Sequence, residues 1–560
     1  MFGRFLTVIL VVVFPAVARA QEVPEQLLSG RSQIYLRWDG LDAHREAFDK
    51  TAIGKMMKGD TGRLLSALVP FLREQLGALD EQVSPEIVAL ADELPKALQT
   101  VGKRGFRLGI EIKQLAPLHV EFMVIFPNSG GAGGPVFSFL KKTLRAANLQ
   151  VHKAKLGVEY VKAHPIKIRW WTRGEDAVVF FSLEVGTLLA GGLTPDVTET
   201  ELYKELKQFG EFPSWIDGYV DVAAIVKLAT SPRLKPLLDD LGLDGLRSIR
   251  FHSGPDGPGE HCVIHFDMPG PRKGLLRILG REPISLAELP PLPADLNSFT
   301  AVNVDVVPLY EAAIKVAEHV LGALNPKQEN AAKNMIKLAE ILLGLSFRDD
   351  VLGALDRRVV RYNSPGDGPF SLGTVYLIKV KDAAKLQDAL DKLSRGVGRL
   401  PLVKATIKKT TYHGATINEI RMGDESYSQL PSFAIHKGWL VYSTYPQPVR
   451  GYILRANGEL PSWKMDADLA RRLAEFPKDY VGIAVSDPRP AVKTLFSLGP
   501  TAVGMINNLT ARLGPQARFD LSLLPNAHEA TRHLFPNITV ISDDGRRVRI
   551  ETRASLPLPF

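Results

Sequence analysis

EFPSWIDGYVDVAAIVK (Glu211–Lys227) and EFPKDYVGIAVSDPRPAVK (Glu475–Lys493) say nearly the same thing, 475 − 211 = 264 residues apart. Each reads as the end of a helix, a turn, a strand and the start of another helix. The same order extends outward from both. QIYLRWDG (Gln33–Gly40) is a strand followed by a helical block, and SFTAVNVDVV (Ser298–Val307) opens the second half in the same way. Strands then take over in both halves: FRLGIEI and HVEFMVIF precede VFSFLKKTLRAA, while RRVVRYN and FSLGTVYLIKV precede DAAKLQDALDKLSRGV. Gly174 and Gly438 occupy matching hairpin turns, again 438 − 174 = 264 apart. Strands in runs joined by short turns, with helices grouped between them, predict an α+β fold of two duplicated modules, each with a mainly antiparallel sheet. REPISLAELPPLPADLNS (Arg281–Ser298) is rich in turn formers and lacks an amphipathic period. It reads as the linker, 281–298, between modules at 21–280 and 299–560.

The first twenty residues carry Arg4, an apolar run from Phe5 to Phe14 and Ala18-Arg19-Ala20. That pattern predicts a secretory signal peptide over 1–20, and export to a periplasmic or extracellular compartment. The run is half of what a membrane span needs, and no later stretch is long and apolar enough, so no transmembrane span is expected after cleavage. Cys262 is the single cysteine, so stability rests on packing without an intramolecular disulfide. A formal charge of +8 falls to 8 − 2 = +6 once Arg4 and Arg19 are removed. Spread over the mature chain, it is too thin for a nucleic-acid reader, but it favours loose attraction to anionic envelope surfaces.

A duplicated chain supplies an internal control: a residue the fold demands should recur in both halves, whereas one added for chemistry need appear once. NSGGAGGPVFSFLKK suggests a phosphate cradle, yet Val136 stands where G-x-G-x-x-G needs its last glycine, and the second half makes the same connection without glycine. In NAHEATRHLFPN, His528 and His533 are five apart, about 140° around a helix, so they do not share a metal as H-E-x-x-H does. Asp349 and Asp350 read as acids at a helix start. Trp170-Trp171 reads as a half-buried strand rather than a sugar platform.

The richest constellation is SIRFHSGPDGPGEHCVIHFDMP (Ser248–Pro269). Alternation across this hairpin puts Ile249, Phe251, Cys262, Ile264 and Phe266 on one face and Arg250, His252, His261, His265 and Asp267 on the other. Imidazoles so spaced are candidate zinc ligands, with Asp267 as a fourth. The comparable TVISDDGRRVRIETR has no histidine, so the row is either added chemistry or a solvated face. Cys262, on the apolar side, reads as an inert core thiol. No nucleophile elbow or catalytic cysteine signature is present.

IYLRWDGLDAHREAFDKTAIGKMM, FRDDVLGALDRRVVRYN, LPSFAIHKGWLVYST and HLFPNITVISDDGRRVRIETRASLPLP resemble segments of large exported bacterial proteins of an uncharacterised domain family. That resemblance implies export and fold and carries no established activity or catalytic residues. Three expectations follow: a non-enzymatic envelope protein that binds a ligand or protein partner; a carrier of lipid or another apolar molecule; or a metal-dependent hydrolase around His252, His261 and His265.

Overall fold

The computed structural model describes residues 23–78, 85–115, 117–154, 157–183, 195–229, 234–278, 280–325, 330–368, 372–396, 405–422, 431–510 and 520–556. The expected signal segment 1–20 lies outside them. One compact unit takes the described residues up to Arg45 and those from 85 to Asp221; the other takes Glu46–Ala78 and those from Val222 onward.

The first unit contains β1 (Ile34–Trp38), β2 (Phe106–Leu115), β3 (Leu118–Phe126), β4 (His152–Lys153), β5 (Glu159–Ala163), β6 (Ile166–Arg173), β7 (Asp176–Leu183) and β8 (Ile216–Val220). They pair in the order β8-β1-β2-β3-β7-β6-β5-β4, antiparallel throughout. Helices cover both faces, so apolar residues run continuously instead of alternating. On one face α1 (Pro135–Ala146) lays Phe137 and Leu144 against Val161, Trp170, Ala177 and Val179. On the other, α2 (Glu201–Lys207) brings Leu202, Tyr203 and Leu206 to Tyr35, Ile125, Val178 and Tyr219. Thr200 caps α2 by accepting from the Tyr203 N–H at 3.3 Å. Trp170 therefore serves one core while Trp171 packs against the other.

The second unit contains β9 (Ser248–Asp256), β10 (Gly259–Asp267), β11 (Ser298–Asn303), β12 (Leu355–Asn363), β13 (Val375–Val380), β14 (Ala405–Tyr412), β15 (Ala415–Met422), β16 (Ser432–His436), β17 (Trp439–Ser443), β18 (Tyr480–Ser486), β19 (Asn537–Asp543) and β20 (Arg547–Ala554). Their antiparallel order is β9-β10-β20-β19-β18-β11-β12-β13-β17-β16-β15-β14. From β18 outward it is the order of the first unit with ten added to each strand number. The helices used below are α3 (Leu234–Leu241), α4 (Val306–Leu324), α5 (Ala331–Leu343), α6 (Ala383–Gly396), α7 (Pro446–Ala456) and α8 (Arg489–Thr510). Val449, Tyr452 and Ile453 of α7 close over Phe299, Tyr362, Leu377 and Val441, while Leu386 and Leu390 of α6 pack on Leu355 and Phe433 of the opposite face. The protein is thus mixed α+β, with antiparallel sheets covered by helices.

Gly174 and Gly438 have φ of 59° and 80° in the β6–β7 and β16–β17 turns, the left-handed conformation that favours glycine. The segment 281–298 has little regular structure beyond a 3₁₀ turn at Leu286–Glu288, but it is no loose tether. Ile284 and Leu292 are buried in the core that holds Phe299.

Candidate functional site

The histidine row lies where alternation put it, on one face of the β9–β10 hairpin: Arg250 pairs with His265, and His265 in turn with Arg549 of β20. The expectation of a solvated face is corrected. His252, His261, His265 and Asp267 are all buried, and β20, paired along the edge of β10, adds Arg547, Arg549, Glu551 and Arg553 to the same face. The carboxylate of Asp267 accepts from Arg250 Nη2 at 2.8 Å, Ser248 Oγ at 2.9 Å and Arg547 Nε at 2.9 Å. Burial pushes this carboxyl up, but the two guanidiniums and the hydroxyl outweigh it and hold it below the usual carboxylate range. His261 Nε2 lies 2.9 Å from Glu551 Oε1, and Arg549 donates to the other oxygen of Glu551 from Nε at 3.1 Å and Nη2 at 2.9 Å. Glu551 is likewise held low against its burial by His261 and Arg549.

Guanidiniums interleaved among the imidazoles occupy the acceptors a cation would use, and they repel it. Among the described residues no group of three or more His, Cys, Asp or Glu side chains stands together to hold a metal. The arrangement instead joins β10 to β20, strands about 280 residues apart in sequence, through Glu260↔Ala554 to Asp267↔Arg547. Cys262 sits on the apolar side, where burial pushes its thiol up to about 11, so it is a core thiol as expected.

The other sequence candidates take structural roles. Ser129 and Gly131 donate backbone N–H groups to Glu175 O at 2.9 and 3.0 Å, and a Cβ on Gly134 would meet Ser129 O at 2.0 Å. The glycines let the loop dock on the β6–β7 turn. His528 lies in a short helix, Ala527–Thr531, that ends before His533, and Glu529 is paired with Arg532 at 2.9 Å. Asp350 accepts from the Ser346 N–H while Ser346 Oγ accepts from the Asp349 N–H, a reciprocal cap at the start of the turn Phe347–Val351.

The first unit holds a charge cluster that reading the sequence missed. Arg37 Nη2 is 2.7 Å from Asp217 Oδ2 across β1–β8, with Lys207 Nζ at 3.6 Å. Arg107 reaches Asp39 Oδ1 and Glu25 Oε1, both at 2.8 Å. Burial lifts Asp217 in spite of Arg37 and Lys207, and lowers Lys207 in spite of Asp217. Glu25 Oε2, Arg37 Nε and Asp217 Oδ1 are buried without a hydrogen bond. In the second unit, where Val302 pairs with Gly482 as Leu36 does with Gly218, Asn303 and Val481 stand at the positions of Arg37 and Asp217, so this ion pair does not recur. The available signal was Tyr35-x-Arg37-x-Asp39, an inward face that turns from aromatic to charged.

Two helices of the second unit present apolar side chains outward. In α5, Leu343 is buried and Ile336 half-buried, whereas Met335, Leu338 and Ile341 are 57, 52 and 69% exposed. At about 100° per residue, these three and the exposed Leu342 fill an arc of about 120°, and Lys333 and Lys337 lie on one side of it. The 3.6-residue period of this helix predicts one inward stripe, Ala332-Met335-Ile336-Ala339-Leu342-Leu343, but the structure turns it only half inward, because apolar residues extend beyond that stripe. In α8, Leu495, Leu498 and Met505 are 67, 47 and 62% exposed at spacings of three and seven. This helix carries Arg489 and Lys493 and no acidic residue.

No protein-family model matches the chain, and no curated protein matches it. Among solved structures, crystal form III of TP0453 is similar over 48% of this chain and 90% of that one, at 11% identity and a TM-score of 0.26. Crystal form IV of TP0453 is similar over 44% and 80%, at 12% identity and a TM-score of 0.24. Likeness of that degree carries nothing toward function, which rests on the geometry above.

Proposed function

We propose that this is an exported, non-enzymatic envelope protein, built from two copies of one α+β module, that docks on an anionic lipid surface through the outward apolar faces of α5 and α8. The observation that carries the reading is the solvent-facing set Met335, Leu338 and Ile341 beside Lys333 and Lys337. Apolar side chains bordered by lysine suit the headgroup boundary, where the chain inserts and the ammonium meets phosphate. Each outward side chain has about half its surface left to bury, worth roughly 1 kcal/mol, and six together give about 6 kcal/mol before orientation costs. That compares with one acyl chain and makes attachment reversible. Among the described residues no helix is long and apolar enough to cross a membrane, so the contact is peripheral. The repeated strand order and the 264-residue sequence echo support the duplication.

The test is co-sedimentation of the chain, purified after export, with vesicles of phosphatidylglycerol or phosphatidylcholine. Binding is expected to the anionic vesicles and to fall with salt. A Leu338→Gln/Ile341→Gln double variant, which keeps helix propensity, should lose about ten- to a hundredfold in partitioning with an unchanged melting temperature. Equal partitioning to both lipids, or full binding by the double variant, sinks the reading.

A further inference from the structure

A cavity of about 170 Å³ opens between α3, the segment Arg272–Arg277 and α4. Its wall is unusual in carrying both signs of charge: Asp239, Asp240 and Glu311 against Arg272, Lys273, Arg277 and Lys315. Most of these charges are already committed. Asp240 is 2.9 Å from His319, Glu311 is 2.8 Å from Arg348, and Lys273 is 2.8 Å from Asp244. The Arg272 guanidinium is pinned by both oxygens of Asp543, with both side chains buried. Four groups remain. Among the described residues Arg272 Nε is buried without a hydrogen bond, Arg277 is only loosely placed 4.0 Å from Glu311, and Asp239 and Lys315, both exposed, make no ion pair.

Leaving a buried N–H unmet is costly, and an acid and bases that line one cavity without pairing leave room there for something that touches both. We propose that this cavity binds a small zwitterion with a phosphate ester at one end and a primary ammonium at the other, of the size of phosphoethanolamine. Arg272 Nε, Arg277 and Lys315 face the phosphate, which takes a guanidinium through paired N–H groups and an ammonium as a point charge. Asp239 takes the ammonium. A lone carboxylate or inorganic phosphate would meet the cationic side and leave Asp239 without a partner in the cavity. At about 30 Å³ per water the space holds five or six waters, which roughly eight non-hydrogen atoms replace. The inference does not depend on docking by α5 and α8.

Isothermal titration of the purified chain with phosphoethanolamine, phosphocholine and inorganic phosphate tests it. Phosphoethanolamine is expected to bind at one site at least tenfold tighter than the other two, since phosphocholine cannot donate to Asp239 and phosphate lacks the ammonium. Asp239→Asn should erase the preference over inorganic phosphate, and Lys315→Gln should weaken every phosphate ligand about tenfold or more. Both residues are exposed, and thermal melts confirm that the variants fold. Absent phosphoethanolamine binding, equally tight inorganic phosphate, or affinity unchanged in both variants overturns the proposal. Competition by phosphatidylethanolamine vesicles identifies a lipid headgroup as the source, and its absence identifies the free ester; either supports the shared chemistry. Ester binding in a chain that ignores anionic vesicles would leave this site standing and remove the docking reading alone.

Discussion

Replacing Asp267 by Asn removes one negative charge from between two guanidiniums and leaves the shape nearly intact. The loss is unequal on the two sides. Arg250 is about one-tenth exposed, so it is left as a buried charge without its carboxylate. Breaking a buried pair in this way costs about 3–5 kcal/mol. Arg547 is 45% exposed, and its share is below about 1 kcal/mol after solvent screening. Ser248 Oγ still finds an oxygen on the amide. We expect a net destabilisation of about 3 kcal/mol at pH 7, taking the lower end because Asn avoids the carboxylate's own desolvation.

The pH dependence fixes the cause. The folded-state pKa of Asp267 is depressed, so its contribution is full above the unfolded value near 3.8 and is lost as pH falls through the folded value. The difference between parent and variant should therefore hold from pH 7 down to about 5 and shrink progressively as pH falls below about 4. Urea unfolding by circular dichroism at these pH values measures it, and hydrogen exchange at the amides of β10 and at Met268, which donates to Arg546 O at 2.7 Å, localises it. A difference under 1 kcal/mol at pH 7, or one unchanged at pH 2.5, would refute the argument.

The charge cluster of the first unit should behave as a coupled set: Arg37→Ala leaves the buried Asp217 with Lys207 alone and costs about 3 kcal/mol, while Arg37→Ala/Asp217→Val, which removes both charges, should recover at least half of that in urea melts. Asp367 is raised to about 6 by burial, although Arg455 pulls it down. Its folded value lies above the unfolded one, so its contribution is present below the unfolded pKa and lost as pH rises through about 6. Asp367→Asn should therefore be more stable than the parent at pH 8 by about 2 kcal/mol, and the advantage should disappear by pH 4; thermal melts across that range read it directly.

Local periodicity carried much of the fold. The strands at Gln33, Ser298, Phe106 and Arg357, the glycine turns at 174 and 438 and the division of the hairpin into a charged and an apolar face all follow from neighbours within a few residues. What failed to show depends on distant partners. Alternation tells which residues share a face and not whether that face is buried, so neither the burial of His252, His261 and His265 nor the pairing of β10 with β20 was legible locally. The outward turn of α5 was hidden because a helix with apolar residues on most sides has no unique inward stripe. Glu25, Arg37, Arg107, Lys207 and Asp217 come from five segments, and only Arg37 and Asp39 left a local trace.

The charged joint between β10 and β20 is better explained by register than by net stability. Two apolar strands that meet from distant parts of a chain gain nearly the same burial at several offsets, whereas buried ion pairs gain little over apolar packing yet tolerate no mismatch. A one-residue slip of β20 would turn Arg547, Arg549, Glu551 and Arg553 to the side of Cys262, Ile264 and Phe266. A two-residue slip toward the β19–β20 turn keeps the faces but sets Asp267 against Gly545, which has no side chain to pair with it. Only the observed register places Asp267 between Arg250 and Arg547 while Glu551 meets both His261 and Arg549. The histidines thus take part in specifying how two segments far apart in the sequence join, which accounts for a row on β10 with Arg and Glu opposite it on β20.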